Sequence, residues 1–130
     1  MINITDIDYY KNKGYLLVEN ALPADKLKEL QEVTDGFVEK SRNISENDVI
    51  YDLSDDHSAD IPKLRRLKNP HEIHKIYEDI TKDPCILDIV EKLIGPNIRR
   101  DHSKLNFKGA HGGEAIEWHQ DWAFYPHTND

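Results

Sequence analysis

The sequence is poor in several features that mark particular classes of protein. Its 130 residues include one cysteine, Cys85, so no disulfide can form within the chain, and we expect a reducing, cytoplasmic compartment. It has no run of 18 apolar residues to span a membrane and no recognisable signal peptide. Acidic residues outnumber basic ones by 25 to 17, a net charge of −8 at pH 7. Because phosphate-rich partners require a positive field, we expect neither nucleic acid nor a membrane as a partner.

Length and patterning predict one α+β domain over residues 1–130. A chain of this size buries one hydrophobic core and has no room for a second. Helical periodicity dominates residues 1–96, and extended patterns dominate residues 97–130. We therefore expect helices first and strands last, with the helices on one side of a small antiparallel sheet that includes residues 98–107 and 116–122.

Caps and apolar spacing predict four helices. Each begins beside a capping residue or a proline. A capping side chain accepts a hydrogen bond from a free N–H group at the helix start, and a proline has no N–H group there. These start signals are Thr5, Pro23, Asn69-Pro70 and Asp83-Pro84. Gly14 and Gly95 are expected to end the first and the last helix. Short strands are predicted at residues 15–18 and 49–51, the second within a polar loop at 41–60.

A His-x-Asp triplet at residues 119–121 is the first candidate site. Alternate residues of a strand project to one face about 7 Å apart at the backbone, so an imidazole and a carboxylate in this spacing can bind one metal ion. With a second His they would form the facial triad of non-haem Fe(II) oxygenases. Random placement of the seven His and the 15 Asp would produce about one such triplet. The triplet alone therefore does not distinguish a metal site from a surface pair.

A second cluster consists of His71, His74 and Glu78. On one continuous helix these residues share a face and could bind zinc. Two histidines and a carboxylate on a charged helix are more often a solvated face, so both interpretations stay open.

A third cluster consists of Lys104, Asn106 and Lys108, which share one face of a predicted strand. A basic face beside a metal site could bind a dicarboxylate. Spacing alone favours an ordinary exposed strand face.

Much of the chain resembles the phytanoyl-CoA dioxygenase family of Fe(II)/2-oxoglutarate oxygenases. The resemblance rests on an opening helix and strand, a helix ahead of the catalytic strands, an extended Ser-Lys-Leu-Asn-Phe-Lys run, a Trp-His-x-Asp strand and a Phe-Tyr-Pro turn. In chain order these segments are residues 10–20, 83–96, 103–108, 118–121 and 124–126. The resemblance covers nearly the whole chain in the family's order and implies a double-stranded β-helix (jelly roll).

The resemblance implies that His119 and Asp121 are catalytic residues and the first two Fe(II) ligands. Halogenating relatives replace the carboxylate at the second position with a small residue, which frees a coordination position for chloride. Retention of Asp121 therefore implies hydroxylation.

The resemblance also implies a binding site for the co-substrate 2-oxoglutarate. Lys104, Asn106 and Lys108 would lie near it, with Lys108 as the first choice for a carboxylate contact. Trp118 and Trp122 would line the pocket, which would receive a small-molecule substrate and O₂.

Family members are about twice this length, and their second half supplies the other His ligand and an Arg for 2-oxoglutarate. We therefore expect the N-terminal half of an oxygenase, an incomplete jelly roll that is inactive alone. Uncovered strand edges also predict a homo-oligomer. The main alternative is a non-catalytic oligomeric domain that keeps the fold without the chemistry, and a zinc-binding regulator is a third.

Overall fold

The computed structural model describes residues 2–109 and 115–121, which combine helices with one antiparallel sheet. Its helices are α1 (Ile4–Lys13), α2 (Ala24–Lys40), α3 (Pro70–Ile73), α4 (Lys75–Thr81) and α5 (Pro84–Ile94), with a 3-10 turn at Ser41–Asn43. Its strands are β1 (Tyr51–Leu53), β2 (Leu64–Lys68) and β3 (Lys104–Asn106), in the spatial order β1-β2-β3. The α+β class is confirmed. The expected order of helices first and strands last is wrong, because β1 and β2 lie between α2 and α3.

The expected helix starts are largely confirmed. Pro23 precedes α2, and the Asp83 side chain accepts the Cys85 N–H at the start of α5. The cap of α1 is one correction: Asn3, not Thr5, accepts the first N–H groups, in a capping box with Asp6. No described helix combines the length and the apolar character needed to cross a membrane.

The prediction of a single helix beginning at Asn69-Pro70 is wrong, because the backbone breaks at His74. Its φ of −152° and ψ of 134° are extended values, so it ends α3 and begins α4. The His74 ring then accepts the Ile76 N–H at 3.3 Å as an N-cap.

A β-bulge in β2 determines which side chains reach the core. Leu64 and Arg66 pair with adjacent residues of β1, so Arg65 is the extra residue between them. In a regular strand Leu64 and Leu67 would point to opposite faces because they are three residues apart. The bulge shifts the alternation by one residue, and both leucines are buried, at 6% and 0% exposure.

The core lies between the sheet and helices α2 and α4. It is formed by buried side chains from α2, β1, β2 and α4: Phe37, Tyr51, Leu64, Leu67, Ile76 and Tyr77. Leu30 and Val33 of α2 pack against it, whereas Leu27 of the same helix is half exposed. A hydrogen bond of 2.7 Å between the Thr34 and Tyr77 hydroxyl groups also joins α2 to α4.

Four predicted strand segments differ from the structure. Residues 15–18 form no strand, and Tyr15 and Leu17 are 61% and 80% exposed. Within 98–107 only β3 is a strand, and residues 116–120 form none. The strand predicted at 49–51 lies two residues later, as β1. Apolar and β-branched residues favour a strand only where a neighbouring strand supplies hydrogen bonds, and the described residues supply no strand partner to residues 15–18 or 116–120.

Candidate functional site

The predicted basic face is present on β3 and the residues that follow it. Lys104, Asn106 and Lys108 are exposed, while Leu105 and Phe107 between them are half-buried and pack against the core. This alternation is the period of two that an extended segment imposes. The three candidate co-substrate residues therefore share one face, and the core fixes that face from behind.

A charged row crosses the same outer face of the sheet. Asp52 of β1 pairs in register with Arg66 of β2, which pairs with Asn106 of β3. Arg66 Nε lies 2.9 Å from Asp52 Oδ2, an ion-pair distance at which the N–H is not aligned for a hydrogen bond. The next register pair is Lys68 with Lys104. The candidate face thus includes two cations from β2, although the whole chain is acidic.

His119 and Asp121 lie close together in the segment 115–121. His119 Nε2 is 3.3 Å from Asp121 Oδ1. Two donors at neighbouring positions of one octahedral ion, each about 2.1 Å from it, are about 3.0 Å apart. The observed separation is compatible with one shared ion.

The backbone beside His119 favours one tautomer of its neutral ring. His119 Nδ1 is 2.7 Å from the Glu117 carbonyl oxygen. A carbonyl only accepts hydrogen bonds, so Nδ1 is the donor of this contact. In the neutral ring the lone pair would then be on Nε2, the nitrogen that faces Asp121, an orientation typical of metal-binding histidines. The expected strand is absent here, and Asp121 has 3-10 conformation.

The aromatic residues of the predicted site are not brought together by the described residues. The Trp118 side chain is fully exposed, at 103%, so it lines no pocket there. Trp122, the Phe-Tyr-Pro turn at 124–126 and His127 lie outside the described residues, as does most of the glycine-rich stretch at 109–113.

The zinc interpretation fails for His71, His74 and Glu78, which are engaged elsewhere. His71 is buried and its Nδ1 contacts the Ser103 hydroxyl, while His74 caps α4. The Lys82 ammonium donates a hydrogen bond to Glu78 and holds the pKa of that carboxyl below its usual range. Among residues 2–109 and 115–121 no group of three or more metal-binding side chains is present.

Comparison with known proteins adds sequence-wide similarity to this geometry. A family model described as phytanoyl-CoA dioxygenase matches residues 10–130. A probable alpha-ketoglutarate-dependent hypophosphite dioxygenase of Stutzerimonas stutzeri is 32% identical over 121 residues, which cover 93% of this chain and 42% of that protein. An L-proline trans-4-hydroxylase of Streptomyces griseoviridis is 27% identical and an ectoine dioxygenase of Streptomyces avermitilis 24% identical, over 92% and 99% of this chain. The chain spans only 41% of the length of each of these two relatives.

Proposed function

The chain belongs to the phytanoyl-CoA dioxygenase family, and we propose that it forms the N-terminal part of an Fe(II)/2-oxoglutarate-dependent dioxygenase of the hydroxylase type. The observation that carries the proposal is the His119–Asp121 pair, in which His119 Nε2 lies 3.3 Å from Asp121 Oδ1 while His119 Nδ1 contacts the Glu117 carbonyl. The relatives, which include a probable alpha-ketoglutarate-dependent dioxygenase and a hydroxylase, support the same chemistry.

His119 and Asp121 are the residues that would hold Fe(II). A neutral imidazole and a carboxylate are two of the three donors in the facial triad of Fe(II) oxygenases, so the donor set fits this metal. Bound Fe(II) and 2-oxoglutarate would supply the activation of O₂. The chain's own contribution is to orient His119 through the Glu117 carbonyl and to supply the Asp121 carboxylate that the halogenating relatives lack.

The outer face of β3 is the proposed contact for 2-oxoglutarate. Lys104 and Lys108 offer ammonium groups and Asn106 an amide, all on one exposed face. Lys68 of β2, the register partner of Lys104, extends this face with a further ammonium group, whereas the charge of Arg66 is paired with Asp52. We also assign Trp118 to the pocket wall, where its exposed ring would need cover from outside the described residues.

The larger assembly is part of the same proposal. We propose that residues 1–130 are one domain, in which the mainly helical part (1–96) precedes the first core strands of a jelly roll (97–130). The second His ligand and the Arg for 2-oxoglutarate would come from further sequence or from a partner subunit, and we expect a cytoplasmic homo-oligomer. The relatives' names include hypophosphite, L-proline and ectoine, so we propose a small polar substrate.

Metal binding tests the proposal directly. Fe(II) affinity is measured anaerobically for the wild-type chain, His119→Ala and Asp121→Ala, each checked for folding by circular dichroism. His102→Ala is the matched control, because His102 is similarly exposed (41% against 38%) and also lies beside an aspartate.

We expect both site variants to weaken binding at least tenfold, a loss of at least about 1.4 kcal/mol, and the control to change nothing. Equal affinity in all four proteins would refute the metal site. It would favour the alternative of a non-catalytic oligomeric domain, which the exposed Trp118 and Leu17 side chains also suit.

A further inference from the structure

Ser103, the residue before β3, is bound to the start of α3 through all of its polar groups. Its carbonyl oxygen accepts the Asn69 N–H at 2.9 Å, and its own N–H donates to Asn69 Oδ1 at 3.4 Å. Its hydroxyl contacts His71 Nδ1. Such complete engagement is unusual for a small polar residue in an irregular connection, because most side-chain hydrogen bonds of that kind go to water or to one backbone group.

The residues that bind Ser103 sit at a rigid corner. Asn69 follows β2 directly and has a φ of 44° and a ψ of 53°, in the left-handed region that asparagine adopts more readily than most other non-glycine residues. Pro70 then fixes the first turn of α3. The His71 side chain is 5% exposed, so its contact with Ser103 is shielded from water. The corner is thus a fixed point against which the start of β3 is held.

We propose that His71 and Ser103 are positioning residues that set the register of β3, and with it the placement of Lys104 and Asn106 for the co-substrate. This inference rests on the proposed function, because it takes the outer face of β3 as the 2-oxoglutarate contact. We refer to the contacts of Ser103 with Asn69 and His71 as the Ser103 latch.

The reason a latch matters is that β3 is short. It has three residues, and among the described residues it pairs with β2 alone. A slip of one residue along β2 would turn Lys104 and Asn106 toward the core and Leu105 toward solvent. The latch opposes such a slip at the residue next to Lys104. Because the co-substrate face depends on that register, a loosened latch would lower the fraction of molecules able to bind 2-oxoglutarate.

Steady-state kinetics of the full-length dioxygenase separates positioning from general stability. Ser103→Ala and His71→Leu remove the hydroxyl–imidazole contact, whereas Ser103→Thr keeps the hydroxyl and His71→Asn keeps a polar atom near the position of Nδ1. We expect the first two to raise KM for 2-oxoglutarate about three- to tenfold, as for the loss of one hydrogen bond, with kcat within about twofold. The two conservative variants should restore KM.

Tyr77→Phe is the matched control. It removes a hydrogen bond of 2.7 Å to Thr34 between α2 and α4, away from β3. It should lower the melting temperature without changing KM. If the latch variants behave as this control does, with lower stability and unchanged KM, they are structural only and the inference is overturned.

Hydrogen exchange on this chain tests the latch without activity. The amide protons of β3 and of Phe107, which donates to the Arg65 carbonyl at 3.0 Å, should exchange faster in Ser103→Ala than in Tyr77→Phe. Equal protection in the two variants would overturn the latch. Faster exchange with an unchanged KM in both Ser103→Ala and Lys104→Ala would instead show that the proposed co-substrate face is wrong and that the latch positions nothing for 2-oxoglutarate.

Discussion

Truncation of Leu67 to alanine tests whether this side chain is at the centre of the core that supports the sheet. Leu67 is the side chain at the centre of β2, with 0% exposure. It pairs in register with Tyr51 of β1 and Leu105 of β3, so it lies directly between these two strands. Its removal therefore weakens both strand pairs and the packing of α2 and α4 on the sheet.

The expected cost follows from the atoms removed. Leucine to alanine deletes three carbon atoms, worth about 0.8 kcal/mol each in transfer from water. A cavity adds to this cost, because neighbours held in a paired strand and two packed helices collapse only partly. We expect a loss of about 3–4 kcal/mol, within the usual range of about 2–5 kcal/mol for such changes. Against a total stability of about 5–15 kcal/mol, the variant stays folded at room temperature but melts roughly 10–15 °C lower.

The assay is urea and thermal unfolding followed by far-UV circular dichroism. Leu17→Ala is the matched control, because it makes the same chemical change at a side chain that is 80% exposed. Its stability should change by no more than about 0.5 kcal/mol. If the two variants lose stability equally, then Leu67 is not at the centre of the core and the description of the sheet is wrong.

The remaining predictions concern pH, the thiol and association. The Lys26 ammonium, hydrogen-bonded to Asp83, holds the pKa of that carboxyl below its usual range, so the pair stabilises the fold above about pH 4 and the stabilisation is lost as the pH falls further. In Asp83→Asn the free energy of unfolding should fall less steeply as the pH is lowered below about 4. The same change at the exposed Asp88 should leave this pH dependence as it is in the wild-type chain. The thiol of Cys85 is exposed and should react with a thiol reagent in the native protein, and reaction only after denaturation would contradict that exposure. Sedimentation should show self-association at micromolar concentration, and a compact monomer that melts cooperatively would rule it out.

The sequence predicted helix boundaries well because their causes are local. A proline or an aspartate at a helix start acts on N–H groups within three residues, and the structure confirms Pro23 and Asp83 in these roles. Where two local signals compete, the prediction of Thr5 as the cap of α1 is wrong, because Asn3 with Asp6 forms a complete capping box. The signal for the correct cap was present in the sequence.

Strands were predicted poorly because their causes are not local. The sequence of β2 is Leu-Arg-Arg-Leu-Lys, and its leucines are three residues apart. This spacing does not fit the alternation of apolar and polar residues in a regular strand. The bulge at Arg65 resolves the conflict, but a bulge is a property of the pairing with β1. Arg66 was missed with β2, although it stands beside Asn106 on the candidate face. Residues 15–18 are the opposite case. They have the apolar pattern of a strand, but no described strand lies beside them and they form none.

The two halves of the candidate site depend on different parts of the chain, so the sequence predicts their geometry unequally. The His119 ring contacts the Glu117 carbonyl two residues away, so the orientation of this candidate metal ligand depends on a short segment. The β3 face depends on Leu67 behind it and on Ser103 held by a corner more than 30 residues earlier in the sequence. Spacing alone could show that Lys104 and Asn106 share a face, but the contacts that fix that face appear only in the folded chain. The geometry of the His119–Asp121 pair is therefore local, whereas the geometry of the β3 face requires the fold.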